Sequence, residues 1–252
     1  MGDFARSTQT LMMIIVILGA INFGLYERIY NKDFKAVRQD SQIIWYIPGL
    51  FVLFALLFIA HFLSRETNQD SAYALSDVIF HGVSASASAG FSTSPVSGFP
   101  ASIVLVLIIA MIIGGCKGST AGGIKISRLK DSISVVIHFF IASRKRPEIL
   151  FTFHGEAVKA RFSKSTYQAI SLCLLWLMTG LAGLVLLSLS VNAPLSDIIF
   201  ETFSALGCVG LSSGLTSPEL SGPAKYILMI LMWLGRLEII PIFVFLLTPF
   251  HR

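Results

Sequence analysis

Charged residues are scarce in this sequence of 252 residues. Asp, Glu, Lys and Arg together make up 13% of the chain, whereas soluble domains contain about 25%. Apolar residues make up 54%, and the mean hydropathy is +0.77. The composition therefore excludes an ordinary soluble domain and indicates a membrane protein.

Cysteine is also rare, with three residues in the whole chain: Cys116, Cys173 and Cys208. No C-x-x-C pair is present, so the spacing offers no metal site, and a disulfide framework is not expected. All three lie in or beside apolar stretches, and we interpret them as small buried residues.

A phosphate-binding loop is absent, although residues 112–130, "IIGGCKGSTAGGIKISRLK", contain five glycines. Such a loop requires G-x-x-x-x-G-K-[ST], so that backbone N–H groups surround the phosphates and the lysine reaches them. The spacing from Gly118 does reach Gly123, but Ile124 follows where lysine is required. The glycine-rich stretch therefore needs another explanation.

Long apolar runs are what the sequence has in abundance. A membrane-spanning helix needs about 20 mostly apolar residues. Four segments qualify, at residues 42–63, 99–115, 167–191 and 225–250, and a fifth at residues 10–26 is marginal in length. We therefore predict an all-α polytopic membrane protein.

Basic residues are concentrated in two loops, which predicts the orientation. Residues 27–41 contain four Lys or Arg residues and residues 125–164 contain nine, whereas the loops around Arg65 and across 192–223 contain almost none. The positive-inside rule places the two basic loops in the cytoplasm, with residues 1–8 outside and 251–252 inside. The net charge of +5 then requires no nucleic-acid partner.

An internal repeat appears at an offset of 120 residues. It aligns "LSDVIFHGVSASASAGFSTSP" (75–95) with "LSDIIFETFSALGCVGLSSGL" (195–215), and nine of these 21 positions are identical. Each copy lies between two apolar runs. The repeated unit is therefore a span, a short segment, a glycine turn and a second span.

The short segment of each copy does not have the length to cross a bilayer. Ser-Asp pairs at 76–77 and 196–197 are typical N-cap residues, and Gly90 or Gly210 follows soon after. A re-entrant helix fits this length, and its irregular backbone must be buried or line a water-filled cavity. Two interpretations stay open: a cation filter of backbone carbonyls, which the matching glycines favour, or extracellular hairpins that shield a helix bundle.

Three motifs resemble the Trk/Ktr potassium-uptake family, most closely its TrkH-type membrane subunits. They are "FHGVSASASAGFSTS", similar to a filter segment; "GGCKGSTAGGIKISR", similar to the glycine-rich break in the next helix; and "WLGRLEI", similar to the last pore-lining helix. That family builds one pore per chain from four M1–P–M2 repeats (helix, pore helix with filter, helix), whose filters select potassium. The resemblance covers nearly the whole chain.

The resemblance implies two M1–P–M2 repeats preceded by one transmembrane helix. Residues 1–40 would end a preceding repeat, with a helix at about 10–26 and a cytoplasmic loop. Residues 41–128 would form the third pore repeat, 129–164 a cytoplasmic linker with an amphipathic helix, and 165–252 the fourth. Two filters cannot surround an ion, so the missing first half must come from another polypeptide or from the undivided protein.

The resemblance also assigns site residues. Potassium ions would bind the filter carbonyls of Ala87, Ser88, Ala89, Gly90, Gly207, Cys208, Val209 and Gly210. An intramembrane gating loop would contain Gly114, Gly115, Gly118, Ser119, Thr120, Gly122 and Gly123; the alternative is a flexible helix end that enters the cytoplasm. Arg236 would be an electrostatic barrier in the pore, or else a structural ion-pair partner of another helix. Lys117, where the family has a small neutral residue, is expected at the cytoplasmic end of its helix.

His81 and Glu201 occupy equivalent positions of the repeat. We expect them to pack or to form a polar network behind the filter, and not to bind the ion. No nucleophile or metal-ligand set converges near a helix end, so the sequence predicts no enzyme. Potassium is the expected ligand, without an organic cofactor.

The resemblance implies potassium transport across a prokaryotic plasma membrane, which is the inner membrane in a Gram-negative cell. It also implies a homodimer and a cytoplasmic nucleotide-binding regulatory subunit of the TrkA/KtrA type, which would bind any nucleotide. The alternative is a non-conducting truncated subunit that associates with a full-length transporter.

Overall fold

The structure is a computed structural model that describes residues 5–67, 73–145 and 164–236. Within these ranges the regular secondary structure is helical, which confirms the predicted all-α class. The helices are α1 (Arg6–Gly19), α2 (Phe23–Tyr30), α3 (Phe34–Arg38), α4 (Ser41–Thr67), α5 (Leu75–Ser86), α6 (Ala101–Ile113), α7 (Ile126–Lys145), α8 (Lys164–Ser190), α9 (Leu195–Leu206) and α10 (Gly222–Arg236), with a short 3₁₀ turn at Val96–Gly98.

Two of the described helices are long and apolar enough to cross a bilayer. They are Ser41–Ser64 within α4 and Thr166–Ser190 within α8, in agreement with the predicted spans 42–63 and 167–191. In each of them 22% of the apolar window is buried inside the protein. Most of their apolar surface therefore faces outward, as expected for helices in contact with lipid.

The prediction of a full span at residues 99–115 is wrong. Helix α6 has 13 residues and is about 20 Å long, whereas the hydrocarbon core is about 30 Å thick. The helix ends because Gly114 adopts a φ of +66°, which side chains with a Cβ rarely tolerate. The chain then folds back, and the N–H of Ile124 donates to the carbonyl of Ile112 at 2.9 Å.

The prediction of one continuous helix at about 10–26 is also wrong. Helices α1 and α2 meet at an angle of 92°. The side chain of Asn22 caps α2 by accepting a hydrogen bond from the N–H of Gly24 at 2.8 Å, which favours a new helix start. The hydroxyl of Tyr26 donates to the carbonyl of Leu18 at 2.6 Å and so fixes the bend.

Two other predicted segments lie only partly within the described residues. Helix α10 covers Gly222–Arg236, and the rest of the predicted span 225–250 lies outside them. Helix α7 covers Ile126–Lys145, and the remainder of the predicted linker 129–164 is likewise outside, up to the start of α8.

The two copies of the repeat each contain a 12-residue helix, α5 and α9. Helix α5 packs against α4 and α6, and α9 packs against α8 and α10. Helix α6 also contacts α9, and one apolar core joins Leu57 of α4, Val78 of α5, Leu107 of α6 and Phe200 of α9. The two short helices therefore pack against longer apolar helices, and α6 contacts both of them.

Candidate functional site

Helices α5 and α9 end in the same way, residue for residue. In each copy, three successive backbone N–H groups bond back to the last helical turn, with N···O distances between 2.8 and 3.3 Å. The donor and acceptor pairs are Ala87–Val83, Ser88–Ala85 and Ala89–Ser84 in one copy, and Gly207–Phe203, Cys208–Ala205 and Val209–Ser204 in the other. The N–H groups of both predicted filter segments thus point back toward their helix.

Two positions in each copy have left-handed backbone angles. Ser88 and Cys208 have φ values of +54° and +51°, and Gly90 and Gly210 have φ values of +74° and +87°. Glycine suits the second position because it has no Cβ to clash, whereas positive φ at the first is uncommon for a residue with a side chain. The two segments therefore follow matching backbone paths.

The carbonyl oxygens of the predicted filter residues accept no hydrogen bond from the described part of the chain. Three of these residues, Ala87, Gly207 and Val209, are buried, and the other five are half-buried or exposed. Buried carbonyl groups without a donor are unusual in folded proteins. These oxygens are the polar groups of the site that are left for another ligand.

The structure brings the two segments together at their glycines. A Cβ on Gly90 would lie 2.5 Å from the carbonyl oxygen of Val209 and 3.3 Å from the Cα of Gly210. A Cβ on Gly210 would in turn lie 3.6 Å from the Cα of Gly90. The predicted filter residues of the two copies therefore share one location in the molecule.

The glycine-rich loop between α6 and α7, residues 114–125, packs directly against both filter segments. The N–H of Gly122 donates to Ser88 Oγ at 2.9 Å. A Cβ on Gly122 would overlap the carbonyl oxygen of Gly207. The loop thus contacts one residue from each copy, and glycine is required there because the backbones approach so closely.

The same loop is attached to the bend between α1 and α2. The N–H of Cys116 donates to the carbonyl of Ala20 at 3.0 Å, and both the N–H and the Oγ1 of Thr120 donate to the carbonyl of Gly19, at 3.2 and 2.9 Å. Sequence reasoning missed this attachment, although Asn22 was an available signal for a helix start. The loop is therefore fixed on two sides.

Arg236 lies at the end of α10 and contacts the loop. Its Nη1 donates to the carbonyl of Thr120 at 3.5 Å. A cavity of about 150 Å³ lies beside this contact, and three of its lining residues are basic: Lys125, Arg128 and Arg236. The other lining residues are Ser119, Ala121, Gly122, Gly123, Ile124, Leu172, Cys173, Trp176, Cys208 and Gly235. The predicted barrier residue and the predicted gating loop thus border one space.

Lys117 points away from the filter contacts made by its loop. The residue is exposed, and its backbone N–H donates to Gln42 Oε1 at the start of α4, at 2.7 Å. The contact with Ser88 is made instead by Gly122, on the other side of the loop. The positively charged residue Lys117 therefore lies at an exposed position of the loop.

Comparison with known proteins matches residues 1–249 to the family described as TrkH, cation transport protein. The Trk system potassium uptake protein TrkI of Halomonas elongata is 28% identical over 270 residues, which cover 100% of this chain and 51% of that protein. The Ktr system potassium uptake protein B of Bacillus subtilis is 26% identical over 238 residues, which cover 92% of this chain and 51% of that protein. The chain spans about half the length of these curated relatives.

A solved structure shares the fold. The crystal structure of the potassium transporter TrkH from Vibrio parahaemolyticus matches with a TM-score of 0.73 at 20% identity. The match covers 100% of this chain and 55% of the other. At this level of identity the likeness shows a common fold.

Replacing Gly122 by alanine tests the close packing of the loop. The new methyl group would overlap a backbone oxygen of the filter segment, so the loop must move and lose its bond to Ser88. Overpacking of this kind costs about 1–3 kcal/mol, and we expect a lower melting temperature in detergent. Gly98→Ala is the matched control because nothing lies within 4 Å of its added Cβ. Equal melting of the two variants would contradict the described packing.

Proposed function

The chain belongs to the TrkH family of cation transport proteins, and we propose that it supplies two of the filter segments of a potassium-conducting pore. The relatives named above are potassium uptake proteins, which supports potassium as the transported ion. The two segments are residues 87–90 and 207–210. They act with the remaining filter segments, which another part of the transporter provides.

The carbonyl groups that accept no hydrogen bond from the described residues carry this proposal. A cation that enters a filter loses water, and backbone oxygens that no N–H occupies can replace that water at low reorganisation cost. Both segments follow directly on the carboxyl-terminal ends of α5 and α9, where the helix dipole is negative. The dipoles and the free oxygens together favour a dehydrated cation.

The division of the chain follows from the same proposal. Residues 1–40 end the preceding repeat, residues 41–128 and 165–252 form the third and fourth pore repeats, and residues 129–164 link them in the cytoplasm. Two segments meet at Gly90 and Gly210, and a ring needs further segments to close around an ion. These come from the first half of the pore, on a separate polypeptide or in the same undivided protein.

The loop at residues 114–125 is proposed to gate the pore. It contacts Ser88, Gly207 and Arg236, and it lines the basic cavity together with Cys208 of the proposed filter. Opening requires the bond from Gly122 to Ser88 to break. Since the loop is also bonded to Gly19 and Ala20, a displacement of the bend between α1 and α2 would move it.

Arg236 is proposed to raise the barrier for cations next to the closed loop. A guanidinium group beside a narrow path repels a potassium ion strongly where the local dielectric constant is low. Because Arg236 is bonded to Thr120, movement of the loop would break this bond and allow the guanidinium group to move. The barrier and the gate would therefore change together.

The proposed assembly is a homodimer in a prokaryotic plasma membrane, the inner membrane in a Gram-negative cell. The basic loops that include α3 and α7 face the cytoplasm. A regulatory subunit of the TrkA/KtrA type would bind on that side and carry the nucleotide site. No organic cofactor is assigned to this chain.

Uptake of rubidium, a potassium substitute, tests the proposed function. The chain is produced in cells without potassium uptake systems, with and without the polypeptide that supplies the first half of the pore. We expect uptake only with the complete pore. Gly90→Ser should lower the preference for rubidium over sodium, because its Cβ would lie 2.5 Å from the Val209 oxygen. Absence of uptake from the complete assembly would favour a non-conducting subunit.

Neutralising Arg236 tests the barrier. We expect Arg236→Gln to increase the rate of rubidium uptake by up to about tenfold, the factor that corresponds to about 1.4 kcal/mol of barrier height. Lys225→Gln, the same charge change near the opposite end of α10, is the control and should leave uptake unchanged. Reduced uptake of Arg236→Gln together with less folded protein would instead indicate a structural ion pair.

A further inference from the structure

Glu201 is a buried side chain to which the proposed pore assigns no role so far. It lies in α9, the helix that precedes residues 207–210, and is 4% exposed. Burial of a carboxyl group is costly unless hydrogen bonds compensate for the lost water. The partners of this carboxyl group therefore indicate what it does.

Among the described residues, the hydrogen-bond partners of Glu201 lie in the segment that follows Gly210. The hydroxyl of Ser212 and the N–H of Ser213, at 3.0 Å, donate to Oε1. The hydroxyl of Thr216 donates to Oε2 at 2.7 Å. Both oxygens act as acceptors, which is the role of a carboxylate and not of an amide.

These bonds attach the far side of the filter segment to α9. Within the filter segment, the N–H of Val209 also donates to the carbonyl of Ser204. Directly after Gly210, the hydroxyl of Ser204 donates to the carbonyl of Leu211 at 2.5 Å. Residues 207–210 are thus attached at both ends to one rigid helix. Rotation of their carbonyl groups would strain or break these bonds.

The other copy of the repeat has an attachment at the same position with different chemistry. His81 corresponds to Glu201, is fully buried, and places Nε2 3.1 Å from the carbonyl oxygen of Ser94. The hydroxyl of Thr93 also donates to Asp77 Oδ1 at 2.9 Å. Both copies therefore tie the segment after the filter back to the pore helix.

We propose that Glu201 is a positioning residue for ion selectivity. Its carboxylate holds residues 212–216 against α9 and thereby fixes the carbonyl groups of residues 207–210 that face the cation. This inference rests on the proposed function, since it assigns Glu201 to the filter described above. Glu201 accepts hydrogen bonds with both terminal oxygens, whereas a glutamine has only one acceptor oxygen, so the second oxygen and the length of the side chain both matter.

The test compares rubidium and sodium uptake by the assembled transporter with unsubstituted chain, Glu201→Gln, Glu201→Asp and Thr216→Val. We expect Glu201→Gln to lower the rubidium-to-sodium uptake ratio by about tenfold, as for the loss of about 1.4 kcal/mol of discrimination. Thr216→Val removes one donor and should lower the ratio less. Glu201→Asp keeps the acceptors and should recover part of the loss. Glu219→Gln, the same change at an exposed residue of the same outer loop, is the control.

The amount of assembled protein is measured for each variant by size-exclusion chromatography. If Glu201→Gln does not assemble, the rubidium-to-sodium uptake ratio of Thr216→Val is the test. An unchanged ratio in that variant would overturn the proposed role of Glu201. An unchanged ratio in assembled Glu201→Gln would do the same. Absence of any uptake by the unsubstituted assembly would instead overturn the proposed function, and the two failures are therefore distinguishable.

Discussion

The fold depends on one constraint, the need of every backbone N–H and C=O group to find a partner inside a bilayer. The long helices α4 and α8 satisfy most of it internally, although Pro48 within α4 has no N–H to donate. The short helices α5 and α9 satisfy it only up to Ser86 and Leu206, and at their ends the N–H groups turn back into the helix. The carbonyl groups that follow are left without a donor in the described chain, and a permeating cation is the partner that we assign to them.

The carbonyl groups of residues 87–90 and 207–210 can lie near one another because their backbones approach closely. Gly90 lies against the carbonyl oxygen of Val209, and Gly122 lies against that of Gly207, at distances that a Cβ would not permit. The loop that contains Gly122 also ends the helix α6 before it has crossed the membrane. The proposed filter, the proposed gate and the half-length helix therefore depend on the same arrangement of glycines.

Local sequence patterns predicted much of this arrangement and missed its long-range contacts. The repeat at an offset of 120 residues predicted the two short helices and the glycine turns, because both depend on neighbouring residues. Counting apolar residues overestimated α6, since Gly114 and Gly115 belong to the loop, and it joined α1 to α2 across the cap at Asn22. The bonds from Gly122 to Ser88 and from Thr120 to Gly19 join residues far apart in the chain, and no periodic pattern encodes them.

The most direct test of the central claim is to locate thallium, a heavy substitute for potassium, in crystals of the assembled transporter. Anomalous diffraction gives the positions of the ions independently of the protein coordinates. We predict thallium beside the contact between Gly90 and Gly210, coordinated by the carbonyl oxygens of residues 87–90 and 207–210. Thallium bound only to side chains elsewhere, with these oxygens hydrogen-bonded to protein donors, would contradict the account.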